Sequence, residues 1–184
     1  MSLNVRTKNY PFIIFISGAS GAGKTTLLRE LSNRLSLQSA EWLHFDSIGV
    51  PSVDEMVKNY GSPSEWQRAM TELWFEKILN EHKNRPLVFF EGQVNLDFIE
   101  AACKKHDFRN YTTILIHCDD TIRHKRLRIN RKQPELINQD MDNWARFLKK
   151  QAAEKSVTIL DSGLMSIDEM IDWIQKEYTL ELLG

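Results

Sequence analysis

Five short apolar runs divide the chain: PFIIFIS (11–17), WLHF (42–45), LVFFE (87–91), TTILIHC (112–118) and VTIL (157–160). They have the length of strands and are rich in β-branched and aromatic residues. PFIIFIS carries no polar alternation until its last residue, which predicts a strand buried on both faces. Between the runs, apolar positions recur at helical spacing over roughly 24–36, 64–82, 95–105, 120–130, 140–154 and 166–178. In the first of these, Leu27, Leu28, Leu31 and Leu35 share one face. Strands alternating with helices predict parallel βαβ units in a doubly wound α/β fold. Ligands of such sheets sit beyond the carboxyl ends of the strands. Residues just after a strand are therefore candidates for chemistry, whereas Arg85 and Arg109, just before strands, belong to the far end.

Two connections are long, 47–86 and 119–156. Each is expected to form a small helical cap over the carboxyl end of the sheet, where a moving cap can keep water from a bound ligand. Neither a repeat nor a low-complexity linker interrupts the chain, and its 184 residues suit one domain.

The first strand leads into GASGAGKTT, which fits G-x-x-x-x-G-K-[ST] with Gly18, Gly23, Lys24 and Thr25 in the fixed places. A strand before it and a helix after it are the context this motif needs. Glycines at 18, 21 and 23 let the main chain of Gly18, Ala19, Ser20, Gly21, Ala22 and Gly23 curl so that successive N–H groups point at an anion. The helix N-terminus at Thr25 and Thr26 adds its partial positive charge. Lys24 is expected to reach the β- and γ-phosphates of ATP, and the Thr25 hydroxyl to ligate Mg²⁺.

Composition narrows the setting. With 27% charged residues, 42% hydrophobic ones and a net charge of −1, the chain is an ordinary globular one, and a long nucleic-acid track is not expected. Cys103 and Cys118 have neither metal nor disulfide spacing, and no apolar run approaches a membrane span. A reducing, cytoplasmic setting is expected, with the polar first ten residues partly disordered.

Four segments hold further candidates. Asp46 follows WLHF; it is suited either to capping a turn or to orienting and deprotonating an acceptor hydroxyl, in a loop shaped by Ser47 and Gly49. Glu91 ends LVFFE before Gly92 and Gln93, where a carboxylate can hold Mg²⁺ or position an acceptor, and Gly92 is expected beside it on the acceptor side. Asp119 competes for that role but also reads as a helix N-cap. In RHKRLRINRK (123–132) six of ten residues are Lys or Arg. That cluster suits a solvated face, a nucleic-acid patch, or a cap: Ile122, Ile129 and Arg126 are expected to face inward, and Arg131 to stabilise charge on the transferred group. In LDSGLMSIDEM, Ser166 and Glu169 form a capping box, with Ile167, Met170, Ile171 and Ile174 inward. Asp161, Ser162 and Gly163 precede that box at the ligand end of the sheet. The histidines at 44, 82, 106, 117 and 124 show no ligand spacing, and structural roles are expected for His44 and His117.

With these motifs the chain resembles the small P-loop kinases: nucleoside monophosphate, shikimate and gluconate kinases and chloramphenicol phosphotransferase. The resemblance spans nearly the whole chain, though only GASGAGKTT is highly specific. It implies a five-stranded parallel sheet of order 2-3-1-4-5, an acceptor-binding region over about 47–86 and a lid over about 126–142. By position, Asp46 matches the acidic residue that contacts the acceptor, Arg126 the arginine packed on adenine, Arg131 the lid arginine, and Asp161 to Gly163 the adenine loop. The implied function is phosphotransfer from Mg-ATP to a small-molecule hydroxyl or phosphate. Nucleoside monophosphate kinases hold the acceptor phosphate with arginines, yet between Asp46 and Glu91 only Arg68 and Arg85 occur. That leaves Arg68, with Lys58, for a second phosphate and favours an unphosphorylated acceptor. Trp66 and Tyr60 are candidates to stack on a ring, whereas Trp74 and Phe75 suit the core. Three other functions compete. A nucleotide hydrolase or switch lacks, as a GTPase, the N-K-x-D signature and, as an AAA-type motor, the length for a second helical domain. A polynucleotide kinase has only the basic cluster in its favour. A non-catalytic ATP-binding module is the third.

Overall fold

The computed structural model describes residues 10–34 and 40–179. Residues 1–9, part of the segment expected to be disordered, and Leu35 lie outside the described residues. Each apolar run forms a strand: β1 (Phe12–Ser17), β2 (Ala40–His44), β3 (Leu87–Gly92), β4 (Tyr111–His117) and β5 (Thr158–Asp161). They pair in parallel in the order β2-β3-β1-β4-β5, the topology the resemblance implies.

The strand period of two divides the core into two layers. Ile13, Phe15, Val88, Phe90 and Leu115 face one side of the sheet; Phe12, Ile14, Ile16, Leu87, Phe89, Ile114 and Ile116 face the other. The first layer is covered by α3 (Pro63–Glu81), α4 (Leu96–Lys105) and α6 (Gln139–Glu154), the second by α1 (Lys24–Arg34) and α7 (Ile167–Ile174). Both faces being buried, β1 and β3 need no polar alternation, and all six residues of each are buried.

The long connections carry elements that apolar periodicity did not announce. Residues 47–86 hold, besides the expected α3, an unannounced helix, α2 (Val53–Tyr60). The first turns of α2 are set by a Ser52–Glu55 capping box, and its end by Gly61 in the left-handed region. Only Met56 of α2 is buried, so its apolar signal is weak. Trp66 is 6% exposed and packs edge-on against Phe45 at 5.8 Å. It is a core residue, like Trp74 and Phe75, and not the exposed stacking group that the sequence suggests.

In the second connection, α5 (Asp120–Lys125) begins on Asp119, whose side chain accepts from Ile122 N–H (2.9 Å). The helix then widens into a π turn over Arg126–Asn130, closed by Arg131 N–H to Arg126 O (3.0 Å). The extra residue in this turn rotates the later side chains about the helix axis. Ile129, expected inward with Ile122, is therefore 61% exposed, and Leu127 takes the buried position at 0%. The capping box at Ser166 and Glu169 is present, with Met170, Ile171 and Ile174 buried and Ile167 half-buried.

Gly92 ends β3 against Phe45, where an added β-carbon would lie 2.5 Å from Phe45 Cβ. Both are backbone-anchored atoms, so neither can give way cheaply. Gly92→Ala is expected to cost about 1–3 kcal/mol, read as a lowered urea midpoint with an unchanged m-value; a midpoint equal to wild type would show that Phe45 repacks freely.

Candidate functional site

The phosphate loop lies at the carboxyl edge of the sheet, between β1 and α1. Gly18, Gly21 and Gly23 all have positive φ, at 154°, 82° and 105°. At Gly21 the requirement is doubled: the backbone is left-handed, and a β-carbon would lie 2.9 Å from Leu127 Cγ. The π turn is thus packed directly on the loop. Ala19, Ser20 and Ala22 are buried. Lys24 is 6% exposed, and its Nζ donates to Ala19 O (3.2 Å). Burial holds the Lys24 ammonium below the usual lysine range; Glu91 opposes that shift, and Arg131 reinforces it.

Glu91 is 7% exposed at the end of β3. Its Oε1 accepts from Thr25 Oγ1 (3.2 Å) and lies 2.8 Å from His44 Nδ1. The oxygens of Thr25 and Glu91 form the hard donor pair that suits Mg²⁺, an ion that keeps most of its waters. Asp46 stands exposed on the turn after β2, near enough to Lys24 to act on it electrostatically. Its side chain makes no hydrogen bond among the described residues, and the cap of that turn does not use it. The capping alternative for Asp46 therefore falls away.

On the other side of the loop, Arg126 is fixed by three oxygen acceptors and by Cys118 Sγ at 3.6 Å. Nη1 donates to Ser162 Oγ (2.8 Å) and Ala22 O (3.3 Å), and Nη2 donates to Ser162 O (2.7 Å). Ser162 Oγ also donates to Ala22 O (2.7 Å), which ties the loop after β5 to the phosphate loop. A cavity of about 640 Å³ opens here, lined among others by Gly23, Thr25, Thr26, Arg126, Arg131 and Met165. Ser162 lines it. Gly163 does not: its N–H is spent on Asp161 Oδ1 (2.8 Å), and the residue packs against Ile122. Arg131 extends from the end of the π turn to Ser20 Oγ (3.2 Å).

Two expected acceptor residues stand otherwise than the sequence suggests. Arg68 is on the exposed side of α3, paired with Glu65 of its own helix, Nε to Oε2 at 3.0 Å. Gly92 is a buried packing position. Two residues take part in the site without a motif to announce them. His44, expected to be structural, orients Glu91; its place two residues before Asp46 at a strand end is the available signal. Gln93 reaches the phosphate loop, where its Oε1 accepts from Ser20 N–H (2.9 Å). Among the described residues no helix is long and apolar enough to cross a membrane, and both cysteines are free and buried.

Fold and loop together define a P-loop protein of the small-kinase type. The chain belongs to the AAA domain family, whose model matches residues 14–143. It is 24% identical over 178 residues to cytidine diphosphoramidate kinase of Campylobacter jejuni, covering 94% of this chain and 99% of that one. A uridine kinase of Lactobacillus helveticus is 33% identical over 76 residues, 38% of this chain and 36% of that one. Among solved structures, shikimate kinase from Acinetobacter baumannii, in complex with shikimate, superposes with a TM-score of 0.61 at 16% identity, covering 95% and 96% of the two chains.

The buried ammonium generates a test. Below the folded pKa of Lys24 both states carry the proton, and its desolvation opposes folding in full. As pH rises from that value toward the unfolded 10.5, the unfolded state holds more protons and stability rises. Lys24→Met is therefore expected to raise Tm at pH 7, with the gain shrinking as pH rises toward 10.5 and levelling off above it. In titration calorimetry the same variant should lose about 30-fold or more in Mg-ATP affinity; undiminished affinity would remove Lys24 from the phosphate site.

Proposed function

We propose that the chain transfers the γ-phosphoryl group of Mg-ATP to a hydroxyl, or failing that a phosphate, of a small molecule. The observation that carries this reading is a buried lysine behind a glycine-rich loop, with the Thr25 hydroxyl and the Glu91 carboxylate 3.2 Å apart beside it. The Ser20 and Ala22 N–H groups, expected to face the anion, are bonded instead to Gln93 Oε1 and Ala19 O. This leaves the main-chain N–H groups of Gly21 and of Gly23 to Thr26 to hold the polyphosphate, with Lys24 on the β- and γ-phosphates. Thr25 and Glu91 hold Mg²⁺, which neutralises charge on the phosphates when bound. Arg126, locked by Ser162, forms a flat wall for the base, and Met165 adds apolar surface to the same cavity lining.

In the transfer, the acceptor oxygen bonds to the γ-phosphorus, the bridging bond to ADP breaks, and the hydroxyl proton leaves. Asp46 is the better base for that proton. Glu91 is already bonded to Thr25 and His44, whereas Asp46 has no hydrogen-bond partner among the described residues. Arg131 neutralises charge on the group in flight, as an arginine supplied from the same chain. On this reading the 47–86 connection receives the acceptor and the 126–142 segment is the lid. Two relatives are named for cytidine diphosphoramidate and for uridine, so nucleoside-bearing compounds are the first acceptors to try.

The AAA domain match supports a second reading, a nucleotide hydrolase. ADP release from Mg-ATP, measured with and without a panel of nucleoside, sugar, antibiotic and shikimate-like acceptors, separates the two: a kinase is stimulated by one class, a hydrolase by none. With the stimulating acceptor, Arg131→Ala is expected to lower kcat by roughly 10³-fold while Mg-ADP affinity changes little. An unchanged kcat would remove the lid arginine from the reaction.

A further inference from the structure

Ser20 is 3% exposed, and its hydroxyl and main-chain N–H are both held from outside the phosphate loop. Its hydroxyl accepts from Arg131 Nη1, and its main-chain N–H donates to Gln93 Oε1 at 2.9 Å. Gln93 is in the segment joining β3 to α4, and that segment is fastened in turn. Gln67 of α3 donates from Nε2 to Gln93 O (2.8 Å) and accepts at Oε1 from Asn95 N–H (3.1 Å). On the far side, Gln151 of α6 accepts from Leu96 N–H (2.9 Å) and donates to Asn95 Oδ1 and Asp97 Oδ2 (2.7 Å each). A primary amide has a donor and an acceptor at one end, so a single glutamine can hold both polar groups of a passing main chain. Gln67 does this for 93–95, and Gln93 passes the constraint on to the phosphate loop.

We propose that Gln93 is a positioning residue for the phosphate loop and that Gln67 holds it in register, so that the placement of α3 sets the orientation of the Ser20 amide. The consequence for catalysis rests on the kinase reading above, in which α3 belongs to the acceptor side. Binding there would then be relayed to the loop that grips ATP through two hydrogen bonds, without any movement of the sheet. Gln67 itself has no role at the phosphates, which makes it the cleaner test of the relay.

The measurement is amide hydrogen exchange without nucleotide, in wild type, Gln67→Met, Gln67→Glu and Gln93→Met, with Mg-ADP affinity by calorimetry as a second readout. Leu115, fully buried in the central strand β4, reports global opening. Gln67→Met is expected to speed Ser20 exchange by about fivefold relative to Leu115, as the loss of one net hydrogen bond implies, and to weaken Mg-ADP by a similar factor. Gln67→Glu keeps the acceptor for Asn95 N–H but replaces the donor to Gln93 O with a repelling carboxylate oxygen, so it should show at least the same selective change if Gln67→Met folds poorly. Equal acceleration at Ser20 and Leu115 would mean mere destabilisation and would overturn the proposal. So would a response to Gln93→Met with none to Gln67→Met. If wild type fails to bind Mg-ADP, the kinase reading is lost, while the exchange ratio still judges the relay.

Discussion

The closeness with which the phosphate loop lies against its neighbours decides the rest of the carboxyl edge. At Gly21 the main chain comes so near Leu127 that no side chain fits. At Ala22 the carbonyl is held by both Ser162 and Arg126. The loop is thereby clamped between the π turn and the loop after β5 by contacts within the protein itself. A flexible glycine-rich segment would otherwise have to be ordered at the moment of binding, and that entropy would be subtracted from affinity. Here folding has already ordered it. The same clamp explains why Arg126 is so fully bonded: a guanidinium that supports the loop also presents a fixed plane to whatever enters the cavity.

The electrostatics arise from the clamp. Lys24 is buried because the loop folds over it, and its ammonium is kept near Glu91, itself held by Thr25 and His44. A buried charge with one incomplete partner set is poorly satisfied by the protein alone. Such a group gains more from an incoming polyphosphate than an exposed lysine would, since the desolvation cost has already been incurred in folding. The loss of stability at Lys24 and the capacity to bind phosphate are two aspects of one arrangement.

The features legible in the residues are those that depend on local spacing. The five strands, the phosphate loop, the Asp119 cap and the Ser166–Glu169 capping box are each written within a few consecutive positions, and each is present. Elements that depend on tertiary placement were not legible. Helix α2 buries only Met56, so its period is nearly silent. The π turn adds one residue to a regular pattern and so moves Ile129 out and Leu127 in. Trp66 is equally suited to stacking on a ligand and to packing on Phe45, and only the path of α3 decides between them. His44 and Gln93 gain their roles from partners 47 and 73 positions away in sequence, Glu91 and Ser20.

The acceptor is the hardest to read for the same reason, yet its charge can be argued. A phosphorylated acceptor needs cations on the acceptor side whose fields are not already spent. Arg68 is paired with Glu65 and exposed, Arg85 is paired with Glu41 at the opposite edge of the sheet, and Lys58 is exposed in the last turn of α2. On the kinase reading Lys24 and Arg131 are spent on the γ-phosphate, which leaves His44, Asp46 and Glu91 for an acceptor, two of them carboxylates. Carboxylates repel a second phosphate and accept hydrogen bonds from hydroxyls. On that reading the balance of charge favours an acceptor that meets the site with a hydroxyl over one that brings a second phosphate.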